Sequence, residues 1–397
     1  MTTSTHGVDL MDPKVFAGGI PHQYFRELRG LDKPLYTEDG DGNALWHLVR
    51  HADIVAASRD TQVFSSSPST MTLVRQDSAG LPLIVFTDPP AHTRLRKLAK
   101  KGFVPARVTA LAELVQRVAD RIVAEVSARG EFDLADEMAF RLPVEVIVEF
   151  AGIPESDREM VLALVRRTVN IGDPDFSTGR DSGLAYKDLF AYLRGFAERR
   201  QSEPTDDLLS VLLAARAGDE RFGLDELAMF VTQLLNAGSE TTYCSIAGGV
   251  RALLDHPDQL ELLRANRELI PTAVEEILRW VTPVTHFARN VTTGTTIAGQ
   301  DLRAGERVLL WYTSADRDEA VFGDPDAFDV TRRPNPHVVF GAAGPHVCIG
   351  SALARLEIQC FLKAALDLLP RLELAGPPVQ AETNLMNSIK RLPVRLS

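Results

Sequence analysis

The feature that most constrains this chain is a proline-free stretch from about Asp225 to Asp255, which stops before Pro257. As a helix its roughly thirty residues would span about 45 Å, longer than an ordinary globular helix. Phe230, Val231, Leu234 and Leu235 make it strongly apolar, so it is expected to cross the middle of the molecule.

The rest of the chain suits such a core. Helical periodicity recurs at Val108 to Val126, Glu159 to Val169, Leu184 to Arg200 and Leu208 to Ala215. Strand signals are short. Leu45 to Arg50 is one, and Thr295 to Tyr312 reads as two strands around a Gly299–Gln300 turn, then Ala304–Gly305. The expected class is mainly α with small β-sheets. Pro and Gly recur at short intervals without a linker, which predicts a single domain over 1–397. Cys244, Cys348 and Cys360 cannot build a disulfide framework or a four-cysteine zinc site. Few unpaired cysteines, and no signal peptide or long apolar run, predict a soluble cytoplasmic protein. A net charge of −11 spread along the chain argues against nucleic-acid binding.

Mid-helix lies Ala237-Gly238-Ser239-Glu240-Thr241-Thr242. A glycine inside a helix costs about 1 kcal/mol against alanine, and a polar cluster in the core needs partners. Both make sense if a ligand presses on the helix there. Leu234, Ala237, Gly238 and Thr241 share one face. Small Ala237 and Gly238 leave room for dioxygen, Thr241 can hydrogen-bond it, and Glu240 can relay protons from solvent. The alternative is a helix kink with Thr241 bonded back to its i−4 carbonyl.

The second constellation is Phe340-Gly341-Ala342-Ala343-Gly344-Pro345-His346-Val347-Cys348-Ile349-Gly350, with an amphipathic helix from about Ser351. Cys348 therefore precedes a helix N-terminus, where free N–H groups favour an anion and are expected to lower a thiol pKa. Glycines at 341, 344 and 350 permit unusual dihedrals and close approach to a flat ligand. Haem ligation is the chemistry that wants an anionic sulfur there, because a thiolate pushes electron density onto iron and favours O–O cleavage. A buried structural cysteine is the alternative, and Cys244 and Cys360 fit that description.

Two further patterns are weaker alone. Glu276 and Arg279 share a helix face at i, i+3, a spacing most often found in surface pairs. In Asp88-Pro89-Pro90-Ala91-His92-Thr93-Arg94-Leu95-Arg96, His92 and Arg96 present two donors on one face, which fits haem propionates or an ordinary charged helix start. Arg289 and His346 are further candidates, each otherwise a plain surface cation.

Together and in this order, these motifs resemble the cytochrome P450 superfamily in its soluble bacterial branch. The resemblance runs from Trp46-His47-Leu48-Val49-Arg50 to Asn387-Ser388-Ile389-Lys390-Arg391-Leu392-Pro393. It implies a haem b monooxygenase with a long distal helix and a proximal ligand loop. Cys348 would be the axial ligand, and Glu240 and Thr241 the oxygen-activation pair. Glu276 and Arg279 would join a meander at Arg332 or His337. His92, Arg96, Arg289 and His346 would meet the propionates, with Phe340 packed near the sulfur. Two departures stand out. Phe340 and Gly341 lie one residue further from the cysteine than usual, as in relatives acting on steroids and branched lipids, and Glu240 replaces the commoner Asp.

The implied pocket lining is Ser67 to Val85, Leu234, Val284 to Phe287, and Met386 to Ser388. Arg75 meets either a substrate carboxylate or solvent. The expected substrate is a terpenoid, steroid or branched fatty-acyl compound. The alternative is a polyketide or carrier-bound peptide intermediate, whose polar groups Thr285, His286 and Asn387 would meet. No reductase segment follows the Cys helix, so electrons are expected from a ferredoxin-type partner, delivered to a monomer. Arg94, Lys97 and Lys101, with Lys100 and Arg107 nearby, would form its docking face. A peroxygenase or a non-catalytic haem sensor fits less well, because the acid–alcohol pair is retained.

Overall fold

The computed structural model describes residues 7–39, 42–72, 83–169, 173, 175 and 179–397. The central helix spans Leu224–Asp255, 32 residues and so about 48 Å. Asp225 and Glu226 occupy its first turn, and the Glu226 carboxylate accepts the N–H of Gly223 at 3.0 Å. Both features satisfy and neutralise the positive helix end. Pro257 opens the next helix, Pro257–Ala265.

Other helices enclose this axis. Arg141–Phe150, Gly179–Ser202, Ile270–Val281 and Ser351–Ala365 all pack on it. The approach of Ile270–Val281 depends on two glycines: a Cβ on Gly249 would lie 2.6 Å from Ile277 Cγ2, and one on Gly248 2.8 Å from Val281 Cγ2. The expected helices are present with shifted ends. Val108 to Val126 is two helices, Pro105–Ala110 and Ala112–Ser127, and the next three are Glu155–Arg166, Gly179–Ser202 and Leu208–Ala214.

A five-stranded sheet sits beside the helices in the order Leu35–Glu38, Ala44–Leu48, Arg307–Trp311, His286–Val291, Phe64–Ser65. Only the pair Ala44–Leu48 with Arg307–Trp311 is parallel, and it joins segments far apart in sequence. The region 295–312 holds three strands rather than two, Thr295–Ile297, Gln300–Leu302 and Arg307–Trp311. Its first turn is Ala298–Gly299, one residue earlier than expected, with both residues at positive φ. That is the geometry of a two-residue hairpin turn. Trp311 is fully buried and anchors the sheet, with Phe16 and Phe25 against it and its Nε1 donating to His47 Nδ1 at 3.0 Å.

The Glu276–Arg279 pair is a core structure and not a surface pair. Both side chains are fully buried. Glu276 accepts two bonds from Arg279, at 2.7 and 2.8 Å, and others from Arg332 Nε, Asn335 Nδ2 and the Asp329 N–H. Of the two expected meander partners, Arg332 is the one that binds it. The remaining Arg279 donors go to the carbonyls of Asp316, Pro325 and Ala327.

Removing one partner of a buried charge cluster leaves the others uncompensated, at a cost of about 3–5 kcal/mol. Glu276→Ala is therefore expected to lower unfolding free energy by about that much in urea titrations of the haem-loaded protein. A loss near zero would show that the cluster contributes no stability.

Candidate functional site

The helix Ala91–Ala99 carries His92 and Arg96 one turn apart. His92 lies against His346 of the Cys loop, with ring centroids 4.1 Å apart. Arg96 Nη2 donates to the Val347 carbonyl, one residue from Cys348. Arg289 projects from the strand His286–Val291, and its positive charge reaches His346. The four expected cationic or donor residues are thus brought together from three parts of the chain. Burial, then the charge of Arg96, holds His92 down to about 4, with Asp88 opposing. Burial, then His92, Arg289 and Arg96, takes His346 to about 3. Both imidazoles are neutral at pH 7. His92 Nδ1 and Arg289 Nε are buried without a partner, a condition native proteins rarely leave unanswered.

The Cys loop closes through a bond from the Cys348 N–H to the Phe340 carbonyl at 2.7 Å. Gly341 and Gly344 have positive φ, and a Cβ on Gly344 would strike the Ser58 carbonyl oxygen at 2.3 Å. Gly350 departs from expectation, since it caps the helix with an ordinary φ of −85°. Cys348 is exposed, whereas Cys244 and Cys360 are buried. The N–H groups of Gly350 and Ser351 point at its sulfur, and Arg96 and Arg355 lie near. Even so, although the residue is open to the surface on one side, the loop and helix packed around its thiol desolvate the charged form, and the pKa is raised rather than lowered as the sequence suggested. The donors favour a thiolate, but a metal is needed to deprotonate the sulfur outright.

A second acidic residue, which sequence reading missed, steadies this loop. Glu275 binds Arg355 at 2.7 and 2.8 Å and His337 at 3.0 Å. Burial would raise its carboxyl, but the bonds from Arg355 and His337 hold it at about 2. The Arg355 guanidinium lies 4.3 Å from the Phe340 ring centroid. No local pattern marks this pair, because 80 residues separate its members.

On the central helix, Ala237 is exposed and Thr241 half-buried in the midst of buried neighbours, so the helix opens onto a void there. Leu234 closes the same face at 9% exposure. Gly238 faces elsewhere, and its missing Cβ would meet Ile147 at 3.8 Å. Glu240 is only 7% exposed, so it does not face solvent as expected. Thr241 Oγ1 donates to the Ala237 carbonyl at 2.9 Å, the back-bond foreseen as the alternative. Behind this face, Glu357 of the Cys helix meets Thr242, and burial pushes its carboxyl up to about 8 against that hydrogen bond.

Val284 and Phe287 are partly buried, Val284 bridging Met386 in the tail. Asn387 is occupied by structure: its Nδ2 donates to the Val281 carbonyl and its N–H to that of Pro283 at 2.8 Å. Thr285 and His286 are fully buried, with Thr285 Oγ1 and His286 Nδ1 turned to the Asn384 carbonyl and His286 Nε2 left without a partner inside the core. Arg75 and most of Ser67 to Val85 lie outside the described residues. On the expected docking face, Arg94 pairs with Glu226 and Arg107 with Asp206, leaving Lys97, Lys100 and Lys101 exposed.

Comparison with known proteins agrees with this geometry. The family model for Cytochrome P450 matches residues 177–389. The chain belongs to the cytochrome P450 superfamily. A steroid C26-monooxygenase of Rhodococcus jostii is 34% identical, over 98% of this chain and 84% of that protein. A methyl-branched lipid omega-hydroxylase of Mycobacterium bovis is 36% identical, over 90% of this chain and 85% of that one. A solved Mycobacterium marinum P450 in complex with pseudoionone superposes with a TM-score of 0.90 at 32% identity, covering 99% of this chain and 100% of that one.

This P450 is a monooxygenase whose cofactor is haem b, and it draws on dioxygen and a redox partner. The residues present fit that group. Two neutral imidazoles and two guanidiniums converge, with His92 Nδ1 and Arg289 Nε unsatisfied, where carboxylates of a flat ligand would meet them, next to a thiol that faces the N–H groups of Gly350 and Ser351. Among the described residues, no helix is long and apolar enough to cross a membrane.

Each cysteine replaced by serine should separate these roles. Cys348→Ser is expected to abolish the red-shifted ferrous–carbon monoxide band, while Cys244→Ser and Cys360→Ser retain it. Persistence of that band in Cys348→Ser would remove the sulfur from the site.

Proposed function

We propose that this P450 hydroxylates a lipophilic substrate of terpenoid, steroid or branched fatty-acyl type. The observation that carries this reading is the character of the open face. Leu234, Ala237, Val284 and Phe287 present apolar surface, and the helix face formed by Leu234, Ala237 and Thr241 bears no charged side chain. Pockets of this kind take up apolar ligands and orient them with few polar groups. Relatives named for steroid and branched-lipid oxidation, and a relative solved with pseudoionone, support it.

In this reading Cys348 would hold the iron of haem b through its sulfur, and the bound haem would supply the redox chemistry that activates dioxygen. The Phe340 carbonyl fixes the Cys348 backbone, and the Gly350 and Ser351 N–H groups stabilise negative charge on sulfur. His92, Arg96, Arg289 and His346 hold the propionates, which would satisfy the orphaned His92 and Arg289 donors. Glu276 and Arg279 keep the meander in place, and Arg355 packs Phe340 beside the loop. Thr241 delivers a proton when its hydroxyl turns from the Ala237 carbonyl toward the void, and buried Glu240 resupplies it. The whole chain, 1–397, acts as one domain, a cytoplasmic monomer served by a ferredoxin-type partner at Lys97, Lys100 and Lys101.

Two experiments test the reading. Titrating the haem-loaded ferric protein with terpenoid, steroid and branched-lipid ligands should shift its spectrum toward high spin, with hydroxylated products on turnover. A high-spin shift and hydroxylation confined to polar macrolides or carrier-tethered ligands would overturn the lipid assignment. Thr241→Ala should leave reductant consumption running while product per electron falls and hydrogen peroxide rises. Unchanged coupling would leave Thr241 with only its back-bond in the helix.

A further inference from the structure

The central helix carries two amides near the open face that the proton-delivery pair does not use: Gln233, which the fold leaves without a partner at Oε1, and Asn236, whose Nδ2 the fold binds. Gln233 is one turn before Ala237. At 3.6 residues per turn the two lie only about 40° apart around the axis, so Gln233 shares the sector on which the helix is open. Its Oε1 is buried and has no hydrogen-bond partner. Buried amide oxygens are almost always satisfied, because stripping one of water without replacement is unfavourable. Nothing in the helix requires a polar residue here, since Leu234 and Leu235 beside it are apolar core.

Asn236 follows at i+3 and is also only partly buried. Its amide orientation is fixed by its neighbours. Asn236 Nδ2 donates to the Thr168 carbonyl at 3.0 Å and to Thr168 Oγ1 at 2.8 Å. Thr168 Oγ1 spends its own hydrogen on the Val165 carbonyl at 2.7 Å, so it can only accept from Asn236. A flipped amide would set oxygen against two acceptors. Asn236 Oδ1 is therefore held as an acceptor directed away from Thr168. The side of the helix at 233 to 236 thus offers two acceptor oxygens, one pinned and one unsatisfied, in otherwise apolar surroundings.

We infer that Gln233, supported by Asn236, is a specificity-determining residue that accepts a hydrogen bond from a hydroxyl group of the substrate. This rests on the lipophilic-substrate reading and narrows it to lipid alcohols. The pinned Asn236 oxygen can only accept, and the Gln233 amide needs a donor for its Oε1 as well as an acceptor for its Nε2: a hydroxyl can both give and take, an ether can only take, a hydrocarbon does neither, and a carboxylate opposes the pinned oxygen. The helix rise places Gln233 about 6 Å along the axis from Ala237 and about 12 Å from Thr241. The recognised hydroxyl accordingly sits at a distance of that order from the carbon oxidised.

Matched ligands test this. The haem-loaded wild type and Gln233→Leu are titrated with citronellol, farnesol and phytol, each against its methyl ether, with the high-spin shift as readout. Wild type is expected to bind at least one alcohol about five- to tenfold more tightly than its ether, the range of one net hydrogen bond. Gln233→Leu should bring that ratio close to one while leaving ether affinity unchanged. Gln233→Met, unbranched and helix-compatible, should do the same and stands in if the leucine variant fails to load haem. If lipids bind but wild type shows no alcohol preference, as when a water alone satisfies the amides, the inference falls and the lipophilic reading stands. A preference that survives in both variants overturns it equally. If none of the six ligands shifts the spectrum, this inference falls, while the lipophilic reading falls only if the steroid and branched-lipid ligands fail as well.

Discussion

The buried carboxylate of Glu276 is the interaction on which the rest of this structure depends. A fully buried charge is tolerated only when paired and hydrogen-bonded, and Glu276 meets that condition through Arg279, Arg332, Asn335 and the Asp329 N–H. Those bonds gather the irregular segment 316–335 onto the helix Ile270–Val281. Its neighbour Glu275 takes Arg355 and His337, which fastens the Cys helix and the approach to Phe340 onto that same helix. Two adjacent acids on one helix therefore set where Cys348 stands. The central helix meets this frame at close range because Gly248 and Gly249 leave room for Val281 and Ile277.

Much of this was legible in the sequence, for identifiable reasons. The long helix, the helix after Ser351 and the grouping of His92 with Arg96 follow from local spacing, and local spacing is what periodicity reports. The sheet was less legible. Its parallel pair joins Ala44–Leu48 to Arg307–Trp311, and no local signal announces a partner so distant. Glu275 escaped notice for the same reason, since its value comes from Arg355 across the fold. Gln233 and Asn236 were passed over because a helix pattern draws attention to its apolar positions, here Leu234.

Where expectation failed, burial was usually the cause. The Cys348 thiol was expected to be acidified by the helix N-terminus, yet loss of water raises it further than the N–H groups and arginines lower it. Glu240 was expected to reach solvent, yet the helices packed on the central helix enclose it. Asn387 was expected to offer a polar group to a ligand, yet its amide is spent on the Val281 carbonyl, and Thr285, expected to do the same, is turned to the Asn384 carbonyl, in tying the tail to the helix end and the sheet. A polar residue near a pocket is more often spent on the chain's own backbone than on a ligand, and only the hydrogen-bond inventory separates the two.

That inventory also divides the titratable groups into two populations. Glu275, which helps hold the frame, keeps its charge through Arg355 and His337, and Glu276 beside it is enclosed by hydrogen-bond donors. Around the site, His92, His346, Cys348 and Glu357 are driven by burial toward their neutral forms, and the guanidiniums left there without an acid partner among the described residues are those of Arg96 and Arg289. A frame must be complete before any ligand arrives, so its charges are matched within the protein. A site that receives an anionic flat cofactor has the opposite need. Its cations must remain unmatched and its titratable groups uncharged until the ligand's own carboxylates and metal complete the balance. The orphaned donors on His92 and Arg289 follow from that asymmetry.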